Sequence, residues 1–243
     1  MKIERFDNDE VLASTLATRL IDAIFLNPRL VLGLPTGRTP VALYRELRWH
    51  SQRGHADWSQ VRTFNLDEFV GLGAGDPGSY RSYMQAALFD HVRMTPEQIG
   101  MLDGRAPNLA AECARYERAI AQAGGIDLQI LGIGANGHIG FNEPGDTLEA
   151  ETHVAELRAE TRRANAGWFG GDTTRVPSHA LSMGLATILR AREIVLMATG
   201  AGKQDAVAGL VNGQLTPRLP ASFLQLHPRV TAMLDRGAAQ RLA

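Results

Sequence analysis

Four times along the chain, a short unbroken apolar run is followed by a glycine-rich or acidic turn and then by a helical pattern. The first run is Arg29–Leu34, followed by Pro35-Thr36-Gly37-Arg38-Thr39-Pro40 and a helical stretch from Val41 to about Arg53. The second, Val61–Asn65, runs into an acidic turn at Asp67 and Glu68, with a helix predicted from about Ser79 to His91. The third, Ile126–Leu131, leads into Gly132-Ile-Gly134-Ala-Asn136-Gly137. The fourth, Glu193–Ala198, leads into Thr199-Gly200-Ala201-Gly202-Lys203 and a helix to about Val211, and Arg229–Leu234 reads as one more strand. Continuous apolar strands alternating with helices predict a sheet buried on both faces. The expected fold class is therefore α/β, a doubly wound, mostly parallel, Rossmann-like sheet. Such sheets bind ligands outside the carboxyl ends of their strands, so the turns after the strands are where chemistry is expected.

Residues 145–178 interrupt this rhythm with Gly145, Gly167, Gly170, Gly171, Pro177 and a charged stretch. A solvated excursion and an active-site lid over the strand ends both fit that pattern. Trp168 and Phe169 inside it could pack over a ligand or anchor the segment to the body. No repeat of fixed period, low-complexity tract or linker divides the chain, so one domain over residues 1–243 is expected.

Composition narrows the partners. With 25 Lys and Arg against 26 Asp and Glu, a net charge of -1 gives no basic footprint for nucleic acid. No apolar run approaches the roughly 18 residues of a membrane span, and Met1–Asp7 lacks signal-peptide features, so a cytoplasmic location is expected. Cys113 is the only cysteine, which excludes an intramolecular disulfide; within its helical pattern it reads as a small packing residue. The histidines show no zinc-binding spacing, so no metal is expected.

The turns carry the candidate chemistry. In Thr36-Gly37-Arg38-Thr39-Pro40, Thr39 can cap a helix whose first residue is Pro40, and the glycine lets backbone N–H groups approach an anion at the positive helix end. An ordinary capped strand-to-helix turn has the same composition, and no Gly-Lys-Ser/Thr follows to make a Walker A loop. Gly132, Gly134 and Gly137 have dinucleotide-fingerprint spacing, but Gly140, Pro144 and Gly145 forbid the helix that fingerprint needs, so no nicotinamide or flavin site is expected. What remains is a glycine-lined loop carrying His138 and Glu143, a pair suited to shuttling protons near neutral pH. Asp67 and Glu68 place two carboxylates side by side, which pushes one toward the proton affinity of a general base; a surface turn could begin the same way. Lys203, Arg162 and Arg163 are cations that, converging on a strand-end site, suit a phosphorylated substrate, although solvated charge is the plainer reading of the arginine pair.

Taken in order, these segments resemble the glucosamine-6-phosphate deaminase family. The resemblance is carried by Leu32-Gly-Leu-Pro-Thr-Gly-Arg-Thr-Pro40, Phe64-Asn-Leu-Asp-Glu-Phe-Val-Gly-Leu72 and Leu131-Gly-Ile-Gly-Ala-Asn-Gly-His-Ile-Gly-Phe-Asn-Glu-Pro-Gly145. Thr161-Arg-Arg-Ala-Asn165, Gly200-Ala-Gly-Lys203 and Leu224-Gln-Leu-His-Pro228 extend it nearly to the end of the chain. It implies a cofactor-free aldose–ketose isomerisation with deamination, turning glucosamine 6-phosphate and water into fructose 6-phosphate and ammonia. By the same resemblance Asp67 moves a proton between C2 and C1, His138 opens the sugar ring, and Glu143 and Asn136 orient and tune that histidine. Arg162, Lys203 and the Gly37-Arg38-Thr39 backbone would hold the phosphate, with Thr36, Glu68 and Gly137 completing the substrate contacts.

Two departures from the family pattern bear on regulation. Position 136 is Asn, where some members carry Asp; an amide can hydrogen-bond His138 but cannot stabilise an imidazolium by charge. Some members are hexamers activated by N-acetylglucosamine 6-phosphate through basic residues after the Asn-Glu-Pro block, but residues 145–156 here contain no Lys or Arg. Nor does the sequence show those members' C-terminal extension. The expectation is no allosteric activation and a monomer or small homo-oligomer. Rival readings are a galactosamine-6-phosphate isomerase, a 6-phosphogluconolactonase of similar fold and a non-catalytic sugar-phosphate sensor. A lactonase usually lacks the Ile-Gly-Phe-Asn-Glu-Pro continuation. A sensor would need a DNA-binding segment and would have no reason to keep Asp67, His138 and Glu143 together.

Overall fold

In the computed structural model, which describes residues 1–242, the apolar runs form the middle of a seven-stranded sheet. The elements that build it are β1 (Lys2–Phe6), α1 (Asp9–Leu26), β2 (Val31–Leu34), α2 (Val41–Gln52) and β3 (Arg62–Asn65). After them come β4 (Asp67–Phe69), α3 (Tyr80–Met84), α4 (Asp90–Val92), β5 (Ile99–Gly100), α5 (Leu109–Gln122) and β6 (Leu128–Gly132). The last third holds β7 (His153–Glu156), α6 (Ala159–Asn165), β8 (His179–Ser182), α7 (Leu185–Leu189), β9 (Glu193–Ala198), α8 (Gln204–Asn212) and β10 (Val230–Asp235).

The large sheet has the order β1-β10-β9-β6-β2-β3-β5, and every pairing in it is parallel. Its two faces are both covered, which is why the central strands read as unbroken apolar runs. Along β9, Val195 and Met197 join the core under α1 and α2, while Ile194 and Leu196 join the core under α5, α7 and α8. Each fully buried side chain of this size contributes about 1.5–3 kcal/mol. From β2 the chain steps outward through β3 to β5, then returns to β6 on the other side of β2 and steps outward through β9 to β10. The reversal lies between β2 and β6, and a crevice opens at their carboxyl ends.

Several expectations need correction. The opening segment, left unassigned by the sequence pattern, forms β1 and α1. Asn8 caps α1 by accepting from the Val11 N–H at 2.9 Å, and Leu12, Leu16, Leu20 and Ile24 form its buried stripe. β1 escaped notice because it is an edge strand that alternates between exposed and half-buried positions. The helix expected from Ser79 is capped by that serine but contains a π-helical turn at Gln85–Phe89. Thr39 does not cap α2: Pro40 occupies the N-cap position, and no side chain bonds the helix start. Asp67-Glu68 is not a surface turn but strand β4, buried and antiparallel to β8 in a three-stranded sheet of order β4-β8-β7. Strand β7 comes from the interrupted stretch 145–178, so part of that stretch is sheet.

No helix among the described residues is long and apolar enough to cross a membrane.

Candidate active site

A cavity of about 770 Å³ occupies the crevice between β2 and β6, a volume in the range of small-molecule sites. Three segments at strand ends bound it: the turns into helices at 35–39 after β2 and 199–203 after β9, and the glycine-lined loop 133–138 after β6. The small antiparallel sheet supplies a fourth wall through Asp67, and Asn165 and Trp168 close over one side.

The β2 turn is held from beneath by two tyrosines. Tyr44 donates to the Pro35 carbonyl, and Tyr83 donates to the Gly37 carbonyl at 3.0 Å. Gly37 sits at φ 97, where only a residue without Cβ is at ease. The backbone N–H groups of Gly37, Arg38 and Thr39 have no partner among the described residues, and α2 begins immediately after them. Unpaired donors at the positive end of a helix make an anion cradle. Lys203 lines the same end, and burial, then the charge of Arg38, pull its proton affinity below the usual lysine range. Arg38 lines this end too, its guanidinium donating to the Ala164 carbonyl at 3.2 Å.

The opposite end holds Asp67 and His138. Asp67 is 5% exposed, and burial raises its pKa to about 7; a hydrogen bond from Thr36 opposes the rise, and neighbouring Glu68 adds to it. The expected effect of the carboxylate pair is therefore real but secondary to desolvation. His138 lines the cavity, with Nδ1 turned to Glu143 Oε2 at 3.7 Å. Burial lowers its proton affinity most, Glu143 opposes that, and the charge of Lys203 reinforces it, leaving the imidazole neutral near pH 7. Asn136 braces the pair: its Nδ2 donates to Glu143 Oε2 at 3.0 Å, and its Oδ1 accepts from the His138 backbone N–H at 3.2 Å. Its amide bonds the His138 backbone and Glu143 rather than the imidazole ring, so it orients the histidine through its main chain and its carboxylate neighbour.

A family model described as glucosamine-6-phosphate isomerases/6-phosphogluconolactonase matches residues 7–233. The chain belongs to this family. Among curated members, the glucosamine-6-phosphate deaminase of Clostridium botulinum (strain Kyoto / Type A2) is 45% identical over 242 residues, which cover 100% of this chain and 99% of that protein. The glucosamine-6-phosphate deaminase of Halalkalibacterium halodurans is 46% identical over 243 residues, covering 100% and 98%. The solved structure of a monomeric glucosamine-6-phosphate deaminase superposes with a TM-score of 0.95 at 42% identity, covering 99% of both chains. A 6-phosphogluconolactonase from Trypanosoma cruzi covers 100% of this chain and 97% of its own at a TM-score of 0.80, but at 22% identity that likeness concerns the fold alone.

Not every residue expected in this family's site faces the cavity. Thr36, Gly37, Arg38, Thr39, Asp67, His138 and Lys203 line it; Asn136 and Glu143 stand behind His138. Glu68 is fully buried and points away: its carboxylate accepts from the N–H groups of Phe69, Tyr80 and Arg81 and from Ser79 Oγ. It is a helix-start anchor rather than a substrate contact, and only the tertiary fold could show that. Gly137 lies outside the lining; it turns at φ 86 against Leu219, where a Cβ would collide. Arg162 does not reach the cavity either, because its guanidinium donates to the carbonyls of Thr173 at 3.2 Å and Val176 at 3.0 Å. Arg163 is exposed and pairs with Glu160.

Trp168 and Phe169 divide the two roles left open for them. Trp168 lines the cavity edge-on to Tyr83, while Phe169 is buried against Phe69 and fills the space left by the missing Cβ of Gly78. Tyr80 and Asn165 were missed as cavity residues; Tyr80 donates to Asn165 Oδ1 at 3.1 Å, joining the wall to α6. Nothing in the local pattern of a capped helix start marks Tyr80 as a lining residue. Asn165 ends the Thr161–Asn165 segment that carries part of the family resemblance, and that membership is the signal that points to it.

Proposed function

We propose that the whole chain is one catalytic domain that converts glucosamine 6-phosphate and water to fructose 6-phosphate and ammonia. The observation that carries this reading is the pairing, across one cavity, of a buried carboxylate with pKa about 7 and a phosphate-type cradle. The phosphate sits on the N–H groups of residues 37–39 with Arg38 and Lys203, and that remote anchoring places the reacting carbons at Asp67 and His138. Arg162 joins the phosphate only by leaving its carbonyl partners. Neutral His138, with Nδ1 facing Glu143 and its backbone N–H held by Asn136, uses Nε2 to take the C1 hydroxyl proton and return it to the ring oxygen, opening the pyranose.

Asp67 then removes the C2 proton of the open chain. The electron pair moves through the new C1–C2 double bond to the C1 oxygen, which takes a proton from the C2 ammonium. Asp67 delivers its proton to C1 as the nitrogen lone pair forms an iminium at C2. Water adds at C2 and ammonia leaves, so no redox partner or cofactor enters the balance.

The enzyme works in the cytoplasm as a monomer or small homo-oligomer with hyperbolic kinetics; the absence of Lys and Arg from residues 145–156 supports the lack of activation, and the monomeric relative supports the small assembly. Incubation with glucosamine 6-phosphate, followed for both products, tests the function, with galactosamine 6-phosphate and 6-phosphogluconolactone run in parallel. One-to-one release of ammonia and fructose 6-phosphate, fastest from the gluco substrate, is expected. Preference for the galacto epimer or the lactone overturns the substrate assignment, and binding of the sugar phosphates without turnover leaves a sensor.

A further inference from the structure

We infer that Thr36 is a positioning residue for Asp67: its hydroxyl holds carboxylate oxygen Oδ1 and leaves Oδ2 as the one atom that carries the proton from C2 to C1. The inference rests on the reading of Asp67 as the base. Thr36 was expected to contact substrate from its place in the phosphate turn, but its Oγ1 donates to Asp67 Oδ1 at 3.2 Å. A threonine hydroxyl has one proton to give, and a phosphate dianion can only accept. While the proton points to Asp67, the Thr36 side chain has nothing to offer the phosphate.

The placement of Thr36 is determined on both sides. Its neighbours' carbonyls, those of Pro35 and Gly37, are clamped by Tyr44 and Tyr83. Asp67 Oδ2 faces Gly140, a cavity-lining glycine at φ 57 whose absent Cβ would lie 3.9 Å from that oxygen. With Oδ1 engaged, removal of the proton from C2 and its delivery to C1 run through the same oxygen. A carboxylate free to rotate would lose that shared position. The bond from Thr36 also favours the ionised form of Asp67, which is the form a base needs.

The test compares Thr36→Val, which keeps the shape and removes the donor, with Thr36→Ser, which keeps the donor. Both kcat and KM for glucosamine 6-phosphate are followed across neutral pH. In parallel, the Asp67 carboxyl is titrated by carbon-13 NMR, with Asp67→Asn used to assign the signal. In Thr36→Val the acid limb of kcat and the carboxyl titration both move up by about one pH unit. At pH 7 kcat falls about fivefold while KM stays within about twofold, and Thr36→Ser follows the unaltered protein. An unmoved limb and an unmoved carboxyl titration overturn the inference. So does a KM raised about tenfold with the limb in place, which would return Thr36 to the phosphate. A displaced carboxyl titration in a protein without turnover supports the Thr36–Asp67 coupling and sinks the deaminase reading alone.

Discussion

The two ends of the cavity, one proposed to hold the phosphate and the other the reacting carbons, are built by opposite means. At the phosphate end, the groups are backbone N–H donors, a helix start and two cations, none of which must change protonation to act. At the reacting end, Asp67 is buried and His138 half-buried, and desolvation shifts both toward neutrality near pH 7. The first end is built from a parallel-sheet turn braced by tyrosines. The second is assembled from two sheets, since β4 brings Asp67 and the turn after β6 brings His138. Binding can thus be strong without stabilising the ground state of the reacting carbons, and chemistry can be fast without tight contacts there.

Removing the base should break the comparison most sharply. Asp67→Asn is expected to lower kcat by roughly 10³–10⁴-fold while leaving affinity for the sugar phosphate nearly intact. Turnover within about tenfold of the unaltered enzyme would end its role as the base. The same substitution should stabilise the fold. A carboxyl whose folded pKa is raised from 3.8 to about 7 favours the folded state only while protonated, so its contribution is full below pH 3.8 and is lost as the pH rises to about 7. Thermal unfolding should therefore show Asp67→Asn gaining stability at pH 8, by up to about 4 kcal/mol, and gaining little at acid pH. In the unaltered enzyme, kcat/KM should climb with pH through about 7 as Asp67 ionises.

At the other end the signature is inverted. Lys203→Met should raise KM by roughly 30- to 100-fold with kcat changed only a fewfold, as steady-state kinetics would show. An equal loss in kcat would mean that the lysine acts on the reacting atoms through its charge near His138.

Glu68 sharpens the contrast from inside one strand. It is adjacent to Asp67 and also buried, yet it accepts from four donors where Asp67 accepts from one. Burial raises its proton affinity and those donors pull it partway back. Glu68→Ala should orphan them, costing roughly 3 kcal/mol and about 6–12 °C in melting temperature while leaving KM for the sugar phosphate nearly unchanged. The smallest effect is expected from Asn136→Asp. A second carboxylate beside Glu143 should raise the proton affinity of His138, and the corresponding kinetic limb should move to higher pH with the rate at its optimum within about tenfold. A fixed limb would show that position 136 acts on backbone geometry alone.

Much of the fold was legible in the sequence because burial on both faces leaves an unmistakable mark. The runs at Val31–Leu34, Leu128–Gly132 and Glu193–Ala198 had to be interior parallel strands, and their following turns had to bound the crevice. Edge strand β1 and short β5 were not legible because half-exposed or two-residue strands carry no periodic signal. The antiparallel sheet was hidden for another reason. β4 is three residues long, and its partners β8 and β7 lie far along the chain, so no local pattern connects Asp67 with Ser182.

The sequence by itself determined the fold class, the family, and the presence of a glycine-supported anion turn and a His–Glu loop at strand ends. These follow from local spacing and from side-chain chemistry that does not depend on neighbours. Only the tertiary structure decided which way each charged group points and how far each is desolvated. Asp67 and Glu68 are indistinguishable as adjacent letters; they part because β4 turns one toward the cavity and the other toward the start of α3. Arg162, read as a cation for the phosphate, is directed instead at two carbonyls that arrive from residues 173–176. Orientation and burial are sums over contacts distant in the chain, and proton affinity, on which the chemistry depends, is set by those sums.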